Sequence, residues 1–148
     1  MKQELLEKYN VPVPRYTSYP PANYFHDGFT SRDYADAIRK SNRQQPEFIS
    51  FYFHIPFCLR LCHYCGCNSY AAPEPEIIDR YVAALHKEID LVLPLLDKKR
   101  KISQIHYGGG TPTSLPALEL EELNAHVLNE FYSIAKPEIA IECHPGWM

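Results

Sequence analysis

Cysteine is the residue this sequence distributes most unevenly. Four of its five cysteines, Cys58, Cys62, Cys65 and Cys67, fall within the run FCLRLCHYCGCN, and the fifth is Cys143. The start, MKQELLEKYN, carries acidic residues and no apolar core, so it is not a secretory signal. No apolar run approaches the roughly 20 residues of a membrane span. A cytosolic protein is the expectation, and there thiols stay reduced. Clustered cysteines then point to a metal or a cluster rather than to a disulfide frame. Cys58, Cys62 and Cys65 form C-x3-C-x2-C. Zinc normally takes four protein ligands, often as two separated pairs; Cys65 and Cys67 are tight for one tetrahedral ion, although a four-cysteine zinc site stays open. Iron–sulfur clusters use thiolates throughout, and three thiolates on a four-iron cluster leave one iron open to an outside ligand. A role as small buried residues fits poorly with the polar neighbours Arg60, His63 and Asn68.

The elements around this loop decide where it sits. FISFYFHI, residues 48–55, is β-branched and aromatic, apolar at nearly every position, as a strand covered on both faces would be. Helix signals run from Glu76 to about Leu93, with Ile77, Tyr81, Ala84, Leu85 and Ile89 on one stripe and Pro94 as the limit. KISQIHYG is a second strand, leading into GGGTPTSLP. Pro116 opens a further helix to about Tyr132, with Leu120, Leu123, Val127 and Leu128 inward. EIAIECH, residues 138–144, is a third short strand. The order β-α-β-α-β implies parallel pairing through right-handed crossovers. In parallel sheets chemistry gathers at the carboxyl ends of the strands, where the cysteine loop, the GGGTPT turn and Glu142 all fall.

Before the first strand, residues 10–29 contain four prolines and no helical period, which reads as an ordered arm. Ser31 is placed to cap a helix through about Asn42. The expected organisation is an N-terminal arm and helix, 1–45, followed by a β-α-β-α-β unit, 46–148. At 148 residues, 45% hydrophobic and 22% charged, the chain can bury one domain core. A net charge of -3 argues against a general nucleic-acid binder, and the basic run Lys98–Lys101 reads as a solvated loop before a strand.

The cysteine spacing after an aromatic strand resembles the cluster loop of the radical S-adenosylmethionine enzymes. In detail, HIPFC…C…CGCN, PRYTSYP at 14–20 and YGGGTPT at 107–113 are similar to the oxygen-independent coproporphyrinogen III oxidases of haem biosynthesis. The haem-chaperone branch of the superfamily shares the HIPFC and GGGTP-type stretches but typically lacks the fourth cysteine and the PRYTSYP arm.

The resemblance implies an α/β fold, the N-terminal part of a partial (β/α) barrel with parallel strands, preceded by an irregular arm and a helix. It implies a 4Fe-4S cluster on Cys58, Cys62 and Cys65, with Cys67 nearby and not a ligand. It implies S-adenosyl-L-methionine on the open iron, touching Tyr52, Tyr64, Gly109, Gly110 and Thr111, with Glu142 at the ribose hydroxyls. Taken alone, each tyrosine is more simply a packing aromatic, Glu142 an exposed strand-end acid, and the glycines an ordinary turn. His54 reads as a satisfied core or rim histidine. Cys143 and His144 stand where the family more often has an apolar residue and an acid, and Cys143 is not read as a ligand.

The implied substrate is coproporphyrinogen III, two of whose propionates are oxidatively decarboxylated to vinyl groups. Arg15 is the candidate for its carboxylates, and an electron donor is the implied partner; no nucleic acid and no membrane are expected. The family's barrel has about twice as many strands as are read here and its full chain is far longer, so the chain reads as an N-terminal piece, inactive in isolation. The alternative from another class is a non-enzymatic module, either a four-cysteine zinc protein or a haem chaperone.

Overall fold

β-branched and aromatic residues dominate 48–55 and 101–109, and both segments are strands in the computed structural model, which describes residues 3–10, 21, 24–44, 47–71 and 73–145. The PRYTSYP stretch, with Arg15, lies outside the described residues. Contacts divide the chain into two units, Met1–Tyr34 and Ala35–Met148. The first holds α1 (Gln3–Tyr9), which buries no residue, and the start of α2 (Ser31–Gln44). Thr30, one residue before the expected cap, closes that helix. Its N–H donates to Asp33 Oδ2 at 2.8 Å, and the Asp33 N–H donates back to Thr30 Oγ1 at 3.3 Å, a reciprocal box. The Thr30 hydroxyl, donating to Asp33 Oδ2 at 2.6 Å, and then the Thr30 N–H hold the Asp33 carboxyl below its ordinary pKa.

The later turns of α2 belong with the second unit. Asn42 Nδ2 donates to the Leu95 carbonyl at 2.8 Å, and Arg100 Nη1 donates to Ser41 Oγ at 3.0 Å. Arg100 Nη2 also reaches the Phe48 carbonyl at 3.1 Å, while Lys98 pairs with Glu130 at 2.6 Å. The basic run is exposed as expected except at Arg100, which ties α2 to the first strand.

The second unit is built on a three-stranded parallel sheet in the order β1-β4-β5, where β1 is Phe48–Ile55, β4 is Lys101–Gly109 and β5 is Ser133–Ile141. Two short strands, β2 (Phe57–Cys58) and β3 (Tyr70–Ala71), form a separate parallel pair. Helices α3 (Pro75–Val92) and α4 (Ala117–Leu128) make the crossovers. One side of β1 is buried through Ile49, Phe53 and Ile55, but Phe48 and Tyr52 are exposed on the other. The expectation of a strand covered on both faces is thus corrected for the described residues: Phe48, at the start of the strand, and Tyr52, toward the rim, are exposed. On β4, Ser103 is an extra residue between the pairs Ile49↔Ile102 and Ser50↔Gln104. That irregularity shifts the alternation by one, so Ile102 and Ile105 both reach the core.

The helix stripes differ in detail from the sequence reading. On α3 the inward residues are Ile78, Tyr81, Val82, Leu85 and Ile89, and Ile77 is exposed. Ala84 is exposed as well. The actual period starts one residue later than the apolar count suggested. On α4, Leu123 and Val127 are fully buried and Leu120 and Leu128 pack against them, as expected. Burying each such side chain stabilises by about 1.5–3 kcal/mol. Pro116 is the cap rather than the first turn, and the helix stops at Leu128, which lets Phe131 turn into the core. β5 begins five residues earlier than expected (138 to 133), with its ladder interrupted between Ser133 and Glu138, where Pro137 offers no N–H. Among the described residues, no helix is long and apolar enough to cross a membrane.

Candidate cluster and cofactor site

Sequence order brings three loops to the carboxyl ends of three parallel strands. The first is the cysteine loop. Its two ends are joined by the β2–β3 pair and by the Tyr70 N–H, which donates to the Pro56 carbonyl at 2.7 Å. His54 fastens it from below: one ring nitrogen lies 2.8 Å from the Asn68 carbonyl and the other 3.2 Å from the Tyr52 hydroxyl. The carbonyl of His54 accepts from the Tyr81 hydroxyl on α3 at 2.5 Å. His54 is a satisfied rim histidine, as its sequence context suggested. Tyr81→Phe should lower stability by about 0.5–1.5 kcal/mol, the usual worth of one such bond, read from the urea midpoint. An unchanged midpoint would show that the bond carries no net stability.

The second loop is the glycine turn. Gly109 has φ 116°, a conformation side chains rarely adopt, and a Cβ there would come within 2.6 Å of the His54 ring. Gly110 is squeezed against the first loop, since its Cβ would meet the Phe57 carbonyl oxygen at 2.8 Å and Cys58 Sγ at 3.0 Å. The Gly110 and Thr111 N–H groups donate to the Ile55 and Phe57 carbonyls, each at 2.8 Å. Thr111, buried, sends its hydroxyl to Cys58 Sγ at 3.6 Å. Glycine is required here by close approach of backbone to a thiol, which is more than an ordinary turn demands.

Glu142 begins the third loop, directly after β5. Its N–H donates to the Tyr107 carbonyl at 3.0 Å. Its carboxylate spans two neighbours, His106 Nε2 at 3.2 Å and the Gly109 N–H at 3.4 Å. His106 was not singled out from sequence. The signal lay in strand alternation: His106 is the register partner of Tyr52, so both lie on the outer face, with rings stacked at 5.6 Å and 18°. Partial burial, followed by the charges of Glu142 and Cys67, pushes the Tyr52 hydroxyl above its ordinary pKa.

Cys58, Cys62 and Cys65 line one cleft of about 210 Å³ together with Gly110, Thr111 and Glu142. Arg60, Ser69 and Cys143 line it too, none of them assigned a role from sequence. Cys67 serves its neighbour. Its backbone N–H donates to Cys65 Sγ at 3.4 Å, and this bond, with help from the Cys67 side chain, holds the Cys65 thiol below its ordinary pKa. The Cys67 thiol is pushed upward by the same neighbour. Tyr64, also on the loop, stands apart at a turn and is 91% exposed. The donor set, three thiols beside a turn stripped of side chains, fits a thiolate-bound cluster with room for a small ligand.

A family model described as the radical SAM superfamily matches residues 52–148. An oxygen-independent coproporphyrinogen III oxidase of Mannheimia haemolytica is 38% identical over 95% of this chain and 94% of its own. The chain belongs to this radical SAM oxidase family. A relative of the same description from Synechocystis is 42% identical over 98% of this chain. The solved structure of coproporphyrinogen III oxidase from Escherichia coli, described as a radical SAM enzyme, superposes with TM-score 0.78 at 36% identity over 95% of this chain. The α/β fold with its parallel strands is therefore the radical SAM fold in part. The chain spans 31% of the Synechocystis relative and 30% of the Escherichia coli structure. Membership of the radical SAM family implies a 4Fe-4S cluster and S-adenosylmethionine as cofactors.

Proposed function

We propose that this chain supplies the cluster loop and part of the cofactor rim of an oxygen-independent coproporphyrinogen III oxidase. In that reading two propionates of coproporphyrinogen III are oxidatively decarboxylated to vinyl groups, giving protoporphyrinogen IX, in the cytoplasm and with an external electron donor. The observation that carries it is the approach of the glycine turn to Cys58, with Glu142 beside Gly109 on the same rim. When bound, the cluster supplies the electron that cleaves S-adenosylmethionine and starts hydrogen abstraction from the substrate.

Cys58, Cys62 and Cys65 hold the cluster as thiolates. Gly109 and Gly110 let backbone come close to the cofactor, and Thr111 steadies Cys58 through its hydroxyl. Glu142 accepts from ribose hydroxyls while His106 and the Gly109 N–H keep its carboxylate in place. Tyr52 offers a flat ring over the rim, held by His54 and His106. Tyr64, exposed on the loop, would touch S-adenosylmethionine when it is bound. Arg15 pairs with a substrate carboxylate, where a guanidinium makes two parallel bonds.

Anaerobic reconstitution of the chain, followed by iron, sulfide and zinc analysis, tests the reading. Iron and sulfide in equal amounts are expected; zinc held without sulfide would favour a four-cysteine zinc module instead. Glu142→Gln should weaken S-adenosylmethionine binding by roughly 1.5–3 kcal/mol, about tenfold to a hundredfold, with iron content unchanged. Calorimetry showing undiminished affinity would reduce Glu142 to a strand-end acid.

A further inference from the structure

Away from the cleft, the seam between α3 and α4 gathers a second set of metal-ligating groups. His86 and Asp90 lie one turn apart on α3, and Glu119, Glu122 and His126 follow one face of α4. His86, Glu119 and Glu122 each offer one ligand atom, all within 4.8 Å of one another, with His86 and Glu119 partly buried. Behind them runs a chain of contacts. His126 Nε2 lies 2.9 Å from Asp90 Oδ1, and His126 Nδ1 lies 2.8 Å from His86 Nδ1, with the two rings stacked at 5.1 Å and 19°.

With both rings neutral, these contacts set the tautomers. An ionised carboxylate only accepts, so His126 Nε2 carries the hydrogen toward Asp90. A neutral His126 then has its lone pair on Nδ1, and His86 must donate its own Nδ1 hydrogen across the short contact. The remaining lone pair of His86 is on Nε2. Metal-binding histidines are oriented in this way, with the far ring N–H given to a partner and the near nitrogen left open.

We propose that the α3–α4 seam binds a divalent transition-metal ion of the zinc class, through His86, Glu119 and Glu122, with His126 and Asp90 as positioning residues. One imidazole and two carboxylates suit zinc, and a water can complete the four positions. All-oxygen surroundings, which calcium and magnesium prefer, are not what this seam offers. Because the ligands come from both crossover helices, the ion joins them only in the folded chain and stabilises that state. The proposal is independent of the chemistry assigned to the cysteine loop.

Zinc titration by calorimetry tests it, using the full chain with Cys58, Cys62, Cys65, Cys67 and Cys143 changed to Ser so that thiols do not compete. Circular dichroism checks that this background is folded. One saturable site is expected, together with a rise in melting temperature on adding zinc. His86→Gln and Glu119→Gln should each weaken binding at least about tenfold, as loss of a ligand does. Asp90→Asn, which touches no metal, should still cost about tenfold to a hundredfold by releasing the histidine chain. If the serine background does not fold, the unaltered chain is titrated with cobalt. The difference spectrum between it and His86→Gln should then show an ion bound by nitrogen and oxygen alone. No saturable zinc in the folded background, or a cobalt spectrum indifferent to His86→Gln, would overturn the proposal.

Discussion

Cys58→Ala, Cys62→Ala and Cys65→Ala are each expected to abolish cluster binding, while Cys67→Ala retains it. A three-thiolate cluster has no spare ligand, so losing one leaves two irons without protein anchorage. Cys67 behaves otherwise because its structural contribution is partly main chain. The N–H that donates to Cys65 Sγ survives substitution by Ala, and only the weaker thiol contact is lost. Iron and sulfide content after anaerobic reconstitution of the full-length enzyme separates the cases. Cluster loss from Cys67→Ala, with retention after Cys58→Ala, would reverse the ligand assignment.

Gly109→Val should damage the rim more than any other single change in the glycine turn. Backbone at φ 116° resists a β-branched residue, at a strain of about 1–3 kcal/mol. The new Cβ also falls within 2.6 Å of the His54 ring, which holds the Asn68 end of the cysteine loop. The substitution therefore disturbs stability and loop position together. Urea denaturation should show a lower midpoint, and reconstitution a lower iron yield. A variant with wild-type values for both would mean that His54 swings aside at no cost.

What could be read in advance divides along physical lines. Parallel β-α-β-α-β order was legible because FISFYFHI, KISQIHYG and EIAIECH alternate with strong helical patterns, and right-handed crossovers leave few other arrangements. Ligand spacing and the glycine run were legible as motifs. Contacts set by register were not. Strand alternation put His106 on the same face as Tyr52, but its reach to Glu142 depends on how β4 and β5 pair. The bulge at Ser103 hid in the same way, since two isoleucines three apart look helical rather than stranded. On the α3 stripe Tyr81, Leu85 and Ile89 were legible, but Ile77 and Ala84 were taken for the Ile78 and Val82 that the sheet actually covers. Thr30 was missed as a cap because Ser31 beside it is an equally good capping type, and Asp33 decides between them.

The two-residue β2–β3 ladder has a consequence for how the site is filled. It closes the cysteine loop at its base, with Cys58 paired to Ala71, so the chain entropy of bringing the thiols together is largely spent during folding. Each thiol then meets an incoming iron at a high local concentration, set by the tether rather than by diffusion. The three are not equivalent in this. Cys58 sits in the ladder, half-buried under Thr111, whereas Cys62 and Cys65 are exposed on the free part of the loop. Loading should accordingly be ordered, beginning at the half-buried thiol at the strand end and continuing to the two exposed ones. A short piece of sheet thus acts on the kinetics of maturation, through the number of conformations left to search.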